Sequence, residues 1–526
     1  MTRSAIEDPN DVPARPSLPA GTAALVGVLA VAAALAAGHL VAALVGSGAS
    51  PYLAVGNAAI DLTPEWLKEF AIRTFGEDNK LVLLAGMAVV LLLVAVLAGL
   101  ISRRGSLPGT LLAVGLGVVG LVAVFTRPDV GQLAVLAPAT SLLVGVGVFR
   151  WLHRLALARV VAVGATETDQ ALPRRAFLRA STGVALGAGV LGAGGQLLTG
   201  GSDATGSRRA LGRITPASPA PPIPPGADFA AQGTPRFITP SKDFYRVDTA
   251  LVVPQLAAED WRLRVHGMVD RELVFNFDDV RSRELRERTI TMVCVSNEVG
   301  GPYISTANFV GVPIAELLRE AGVRDGAEQL FSTSTDGYTA GTDLTKLTNE
   351  DDGAMLAIGM NGESLPVEHG FPARMVVPGL YGYLSATKWV VDMELTTWEA
   401  KRPYWLDRGW AREAPVKTAS RIDAPGDGAT VAAGRVVVSG IAWAQPRGID
   451  KVEVRVDGGR WLPAELSTGV STDTWRMWRI AMDLEPGRRR VECRATDSSG
   501  YQQTGRRTPT APDGATGWHS VTFTVG

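Results

Sequence analysis

Hydrophobic positions follow two different patterns along the 526 residues. Residues 21–45, 81–101, 108–125 and 132–151 are continuous apolar runs without Lys, Arg, Asp or Glu in their interiors. Each is close to the length at which a helix spans a bilayer. A fifth run, 180–198, is rich in Gly and Ala and only weakly hydrophobic. Between the second and third runs stand Arg103 and Arg104; from the very end of the fourth run to the start of the fifth stand Arg150, Arg154, Arg159, Arg174 and Arg175. These loops alternate to one side, so the excess of cations predicts that side, and the N-terminus with it, to be cytoplasmic. Between the first two runs, Thr63 as N-cap and Pro64 as first helical residue predict a short surface helix. Its apolar face is Trp66, Leu67, Phe70 and Ala71.

After residue 200 the pattern changes. Residues 200–226 are first Gly-, Ser- and Asp-rich and then carry Pro216, Pro219, Pro221, Pro222, Pro224 and Pro225. This composition predicts an extended, semi-rigid spacer. Alternation at 261–265 and 290–294 predicts strands, and 313–321 predicts an amphipathic helix with Ile314, Leu317, Leu318 and Ala321 inward. From Arg421 helical periodicity disappears. Alternating segments at 435–438, 451–456, 475–482, 490–495 and 520–525, with turns such as Asp457-Gly458-Gly459, predict an immunoglobulin-like antiparallel sandwich. The organisation expected is a cytoplasmic segment 1–20, four spans within 21–152, and a cytoplasmic loop plus fifth span over 153–199. A linker over 200–234, a mixed α+β domain over 235–405 and a β-sandwich over 415–526 follow.

Arg174 and Arg175, in Pro-Arg-Arg-Ala-Phe-Leu-Arg, directly precede the fifth run. That is the layout of a twin-arginine export signal, used by proteins exported already folded. It is also what a plain charge anchor looks like, although an anchor has no need of Phe177 and Leu178. Either reading puts everything after the fifth run outside the cytoplasm. A net charge of −1 provides no global field for nucleic acid. Five histidines argue against a histidine-rich metal site. Only His39 lies inside a span and His153 at the edge of another, and no Cys-x-x-Cys-His occurs, so no haem is expected in this chain.

The cysteines, Cys294 and Cys493, both follow the fifth run. Cys294 ends the segment Thr-Ile-Thr-Met-Val-Cys-Val-Ser-Asn-Glu-Val-Gly-Gly, whose Asn-x-x-Gly-Gly lets the chain turn tightly around a bound group. A cysteine on a strand can equally be a small buried hydrophobe, or could pair with Cys493 in an oxidising compartment. A non-catalytic surface receptor with that disulfide is therefore the rival to an enzyme. Farther on, residues 360–389 place His369, Arg374 and Lys388 among glycines and prolines. A planar arginine beside a lysine suits an anion such as phosphate, though a surface ion-pair region would read the same way.

Taken together, residues 244–398 strongly resemble the sulfite oxidase family of molybdopterin enzymes, and the similarity continues weakly through the C-terminal segment, notably Arg494-Ala-Thr-Asp-Ser-Ser-Gly. The resemblance implies a molybdenum–molybdopterin cofactor with Cys294 as the thiolate ligand of the metal. It puts Phe244, Tyr245, Arg246, Asn297, His369, Arg374, Ala386, Thr387 and Lys388 around the cofactor, Arg246 beside the metal, and Tyr404 at the family's active-site tyrosine. It further implies oxygen-atom transfer on a small substrate, electron exchange with an external cytochrome or quinone-linked carrier, and a dimerising C-terminal domain. The family typically follows its cysteine with Ala-Gly-Asn-Arg, whereas this chain has Val295-Ser296-Asn297-Glu298. A glutamate in place of a cation puts sulfite itself in doubt and is closer to the sulfoxide reductases of the same fold. The expected placement is a multi-pass membrane protein with its catalytic half outside the cytoplasm.

Overall fold

The computed structural model describes residues 16–45, 49–64, 67, 70–71, 74–126, 132–161, 167–199 and 203–526. It divides into two compact units, 1–201 and 202–526.

In the first unit, five helices are long and apolar enough to cross a membrane: Ala20–Val45, Asn79–Ile101, Leu107–Phe125, Leu133–Val161 and Arg174–Gly195. Small residues set their packing. A Cβ on Gly27 would lie 1.9 Å from the Ala95 carbonyl oxygen, and one on Gly99 would lie 2.0 Å from that of Ala23. The backbones of the first two helices can touch only because these positions are glycine. The sequence reading missed the helix Pro51–Leu62, and Thr63 closes it, its hydroxyl donating to the Ala59 carbonyl at 2.6 Å. Residues 67, 70 and 71 beyond it are helical, while Trp66 lies outside the described residues. Arg174 and Arg175 sit exposed inside a helix, Glu167–Thr199, rather than in a loop. Phe177 of the same motif is buried against Phe149, Leu152 and Ala156, which gives it a packing role of its own.

The second unit contains two β regions. In the first, one sheet orders its strands Leu273–Asn276, Arg262–Gly267, Val390–Thr396, Gln329–Ser334 and Thr339–Asp343. The other runs Arg286–Val293, Ile304–Pro313, Met355–Met360 and Glu363–Ser364, with Arg374–Val376 also paired to Met355–Met360. One core containing Trp261, Leu263, Phe309, Leu317 and Leu356 unites them. The helix Ile314–Ala321 buries its expected face, and Gly322 ends it at φ 71°, in the left-handed region that terminates helices cheaply only at glycine. Alternation is lost in Arg286–Val293 because the last five residues are buried on both faces.

The C-terminal region is two sheets sharing one apolar layer. One contains Ala419–Ala424, Gly434–Trp443, Arg476–Leu484 and Glu465–Leu466. The other contains Thr430–Val431, His519–Val525, Gly487–Asp497, Ile449–Val456 and Leu462–Pro463. Cys493 lies wholly inside this layer with the Ser420 hydroxyl 3.3 Å from its sulfur, and burial pushes its thiol up to about 12. Both cysteines are free, so the Cys294–Cys493 disulfide of the receptor reading is not formed.

The stretch expected as a spacer is instead packed. Residues 204–211 form a helix capped by the Asp203 carboxylate, Ile214 enters the core, and Ala217 donates to the Leu285 carbonyl at 2.8 Å. Phe229 and Phe237 join Val293, Val295, Trp443 and Trp475 in a third apolar cluster. Burying such aromatics outweighs the preference of the surrounding prolines for a solvated extended chain.

Buried Asp497 braces the C-terminal region. Burial alone would raise its carboxyl, but hydrogen bonds from Ser499, from Thr418 (2.6 Å) and from Arg447 (2.8 Å) outweigh that and hold it well below the ordinary range. A carboxyl depressed in the folded state contributes stability that is complete above the unfolded value of about 4 and is lost as pH falls toward the folded value. Asp497→Asn is expected to lower stability at neutral pH and to flatten its decline between about pH 5 and 2. Urea unfolding of both proteins across that range checks this; parallel curves would contradict it.

Candidate active site

Cys294 is the first residue beyond Arg286–Val293. Its N–H donates to the Tyr303 carbonyl and its carbonyl accepts from Asn297, each at 3.0 Å, so the chain reverses there. The Asn297 side-chain oxygen accepts the Tyr303 N–H at 2.8 Å and closes the loop. Asn297 therefore commits that oxygen to the loop. Gly300 has φ +84°, and a Cβ on it would strike the His519 ring at 2.2 Å; one on Gly301 would lie 2.7 Å from the Asn297 oxygen. The Gly-Gly pair is a steric requirement of this turn. Arg421 from the C-terminal sheet donates to the Gly301 carbonyl at 2.7 Å and pins the loop from outside. Cys294 itself is 8% exposed. Burial raises its thiol, opposed by the Ser296 hydroxyl and N–H, by Lys388 and by the Val295 N–H.

His369, Arg374 and Lys388 come together as the sequence reading expected. Gly370, at φ +110°, lies between them: a Cβ there would be 3.0 Å from that of Arg374 and 3.2 Å from that of Lys388. Arg374 is 3% exposed and donates to the His369 carbonyl at 3.1 Å. Lys388 is 8% exposed and donates to the Asp248 carboxylate and the Glu368 carbonyl, both at 3.0 Å. Asp248 also holds Arg246 at 3.1 Å. One carboxylate thus pairs with two of the three cations, Lys388 and Arg246. Burial lowers Arg374 to about 10; burial and then neighbouring cations, offset by Asp248, lower Lys388 to about 8. His369 is lowered to about 3, by burial first and then by Lys388 and Arg374, so its ring is neutral. Its Nε2 donates to the Ser241 carbonyl at 2.9 Å, which leaves Nδ1 a buried acceptor with no hydrogen-bond partner among the described residues.

Phe244 stacks on Tyr245 at 5.3 Å and sets its edge against His369 at 5.4 Å, and the Tyr245 N–H donates to Ser305 Oγ at 3.1 Å. This brings the Phe244–Arg246 segment to the histidine and the cations. Thr387 is fully buried, its hydroxyl 2.7 Å from that of Ser332 and its carbonyl accepting from Met375, while the N–H of Ala386 closes the turn onto Gly382. Tyr404 packs its ring against Tyr338 at 5.9 Å and against Trp405 at 5.1 Å, with the Arg408 guanidinium 3.6 Å above it. Tyr338, which the sequence reading passed over, is within electrostatic reach of Cys294. Burial first, then the charges of Asp336 and Cys294, push its phenol well above the ordinary range, and it donates to the Tyr383 carbonyl at 2.9 Å. Its only local signal is the Asp336-Gly337 turn that delivers it between two strands.

A cavity of about 280 Å³ adjoins the cysteine loop, lined by Asn297, Glu298, Tyr381, Lys417, Arg447 and Asp497 among others. Its cations are matched: Lys417 pairs with Asp513 and Arg447 with Asp497, each at 2.8 Å.

Residues 250–405 match the family model described as oxidoreductase molybdopterin binding domain. These residues belong to the sulfite oxidase family of molybdopterin oxidoreductases. Mitochondrial sulfite oxidase of Macaca fascicularis is 30% identical over 318 residues, 51% of this chain and 57% of that protein. The NADH nitrate reductase of Solanum lycopersicum is 31% identical over 194 residues, 32% of this chain and 21% of that protein. Among solved structures, the sulfane dehydrogenase SoxCD from Paracoccus pantotrophus aligns with a TM-score of 0.49 at 24% identity, covering 58% of this chain and 88% of that one. The chain spans a little over half the length of the mitochondrial sulfite oxidase it matches.

The cofactor implied by such a domain is molybdenum–molybdopterin, and the residues present fit it. Buried cations in excess of their one carboxylate suit a phosphate. The unpartnered Nδ1 of His369 is an acceptor suited to a pterin N–H. Cys294 is a soft donor free of any disulfide.

Proposed function

We propose that this chain is a membrane-anchored molybdenum oxidoreductase that works outside the cytoplasm on a small sulfur-containing substrate. The observation that carries the reading is the buried cluster of Arg374, Lys388 and neutral His369 within electrostatic reach of a free, buried cysteine. Without an anionic ligand, such a cluster is costly to bury. In this reading Arg374 and Lys388 hold the phosphate, His369 accepts from the pterin, and Cys294 ligates the metal. When bound, the molybdenum centre supplies two-electron oxygen-atom transfer. Arg246, tied to Asp248, faces the substrate; Tyr338, with Tyr404 packed behind it, orients the substrate and excludes water.

Sulfite is disfavoured as substrate. Glu298 stands where a cation would help hold an oxyanion, and the cations of the neighbouring cavity are already matched by carboxylates. An uncharged sulfoxide suits these walls better. Electrons pass singly to or from an external cytochrome or quinone-linked carrier. The cationic loops support an outward catalytic unit, and the Arg174-Arg175 motif supports its export as a folded, loaded domain. The C-terminal region is proposed as an immunoglobulin-like sandwich that dimerises the protein.

One experiment tests enzyme and sidedness together. The full chain is made in a cofactor-competent host, spheroplasts are treated with protease, and the released domain is analysed for molybdenum. The expected result is a soluble fragment beginning ahead of the helix at 204–211 that carries stoichiometric molybdenum and turns over sulfoxides with an artificial donor. A released fragment without molybdenum sinks the enzyme reading; a domain protected from protease sinks the sidedness.

A further inference from the structure

The oxygen of Ser296 lies 2.8 Å from the sulfur of Cys294. A cysteine that ligates a metal does so as thiolate and has no proton to give, so in that state the serine must be the donor. The serine is not needed to hold the loop. The loop is already closed by Asn297 to Cys294, Tyr303 to Asn297, Gly301 to Glu298 and Arg421 to Gly301, and Val295 anchors it in an apolar cluster. Ser296 stands, moreover, where the motif resembled by this segment has glycine, which offers no side-chain donor.

We propose that Ser296 is a positioning residue for the Cys294 thiolate, its hydroxyl donating to the sulfur and fixing both the direction and the electron density of the metal ligand. A hydrogen bond to a ligating sulfur draws density away from the metal and favours its reduced form, so it raises the reduction potential. The inference rests on Cys294 being the ligand.

The test uses the loaded full-length protein with Ser296→Ala, which deletes the donor, and Ser296→Thr, which keeps it. Midpoint potentials are read by redox titration of the molybdenum electron paramagnetic resonance signal, together with the sulfur-to-metal absorption band. The alanine variant should titrate at lower potential with a displaced band, and the threonine variant should stay close to the parent. If neither moves, or both move equally, the proposal is overturned. If the alanine variant fails to retain metal, loading decides: retention by threonine supports the donor role, and loss from both overturns it. A failed ligand reading would show separately, as a visible spectrum left unaltered in Cys294→Ser.

Discussion

Cys294→Ser should abolish turnover while leaving the pterin in place. The exchange swaps a soft sulfur for a hard oxygen at nearly constant volume, in a loop closed by hydrogen bonds that do not use the side chain, and an oxygen there can keep the contact with the Ser296 hydroxyl. Folding should therefore change little. In the proposed assignment the cofactor's anchorage lies elsewhere, on Arg374, Lys388 and His369, so the pterin should co-purify at the parental level. What disappears is the cysteine's contribution to the sulfur-to-metal absorption and the chemistry that depends on it. Residues that merely support a metal ligand cost 10–100-fold when removed, so loss of a ligand should exceed about 100-fold. Pterin fluorescence after oxidation, metal content, the visible spectrum and sulfoxide turnover together check this. Full turnover with an unaltered band would exclude Cys294 as ligand.

The site was legible in the sequence wherever local chemistry announced it. The cysteine before Asn-x-x-Gly-Gly had to lie at a tight turn, and the two glycines prove sterically obligatory. His369, Arg374 and Lys388 were suggested by the turn residues around them, and Gly370 is what lets the arginine and lysine come so close. Strands in the C-terminal region were visible because one face of each packs on a shared layer. Other features depend on contacts distant in sequence. Asp248 is an ordinary acid until the fold buries it between Arg246 and Lys388, 140 residues away from the latter. Motif order pointed to Tyr404 alone and gave no sign that Tyr338, distant in sequence, packs against its ring. Proline content predicted a free spacer before the domain. Phe229 and Phe237, only a few residues further on, find an apolar cluster whose other members come from several distant parts of the chain. Two cysteines beyond the fifth apolar run invited a disulfide, and nothing local says that both stay free and buried, Cys493 inside the C-terminal apolar layer.

Arg374→Met is expected to act in the opposite sense to the cysteine change, emptying the site while sparing the fold. At neutral pH the arginine is charged and almost fully buried, and lowering it from its usual range to about 10 marks a free-energy cost of a few kcal/mol to the empty fold. That cost is present at every pH below the folded value and fades only above it, because the depressed form is the charged one. Methionine removes the charge and keeps most of the apolar stem against Phe309, whose ring lies 5.8 Å from the guanidinium carbon. Against this gain stand the carbonyls of His369 and Met375, which lose a donor at about 1–3 kcal/mol each. The terms nearly cancel, so the cofactor-free protein should unfold within about 2 kcal/mol of the parent. Binding has no such compensation. A charge-assisted hydrogen bond to a buried phosphate contributes about 1.5–3 kcal/mol, and its loss reduces retention by roughly 10–150-fold. Pairing it with Lys388→Met, which removes the second cation facing the phosphate, should leave no measurable pterin. Denaturant unfolding of the cofactor-free variants and pterin content after dialysis give the two readouts. Stable, fully loaded Arg374→Met protein would mean that the buried arginine serves some other anion than the cofactor's.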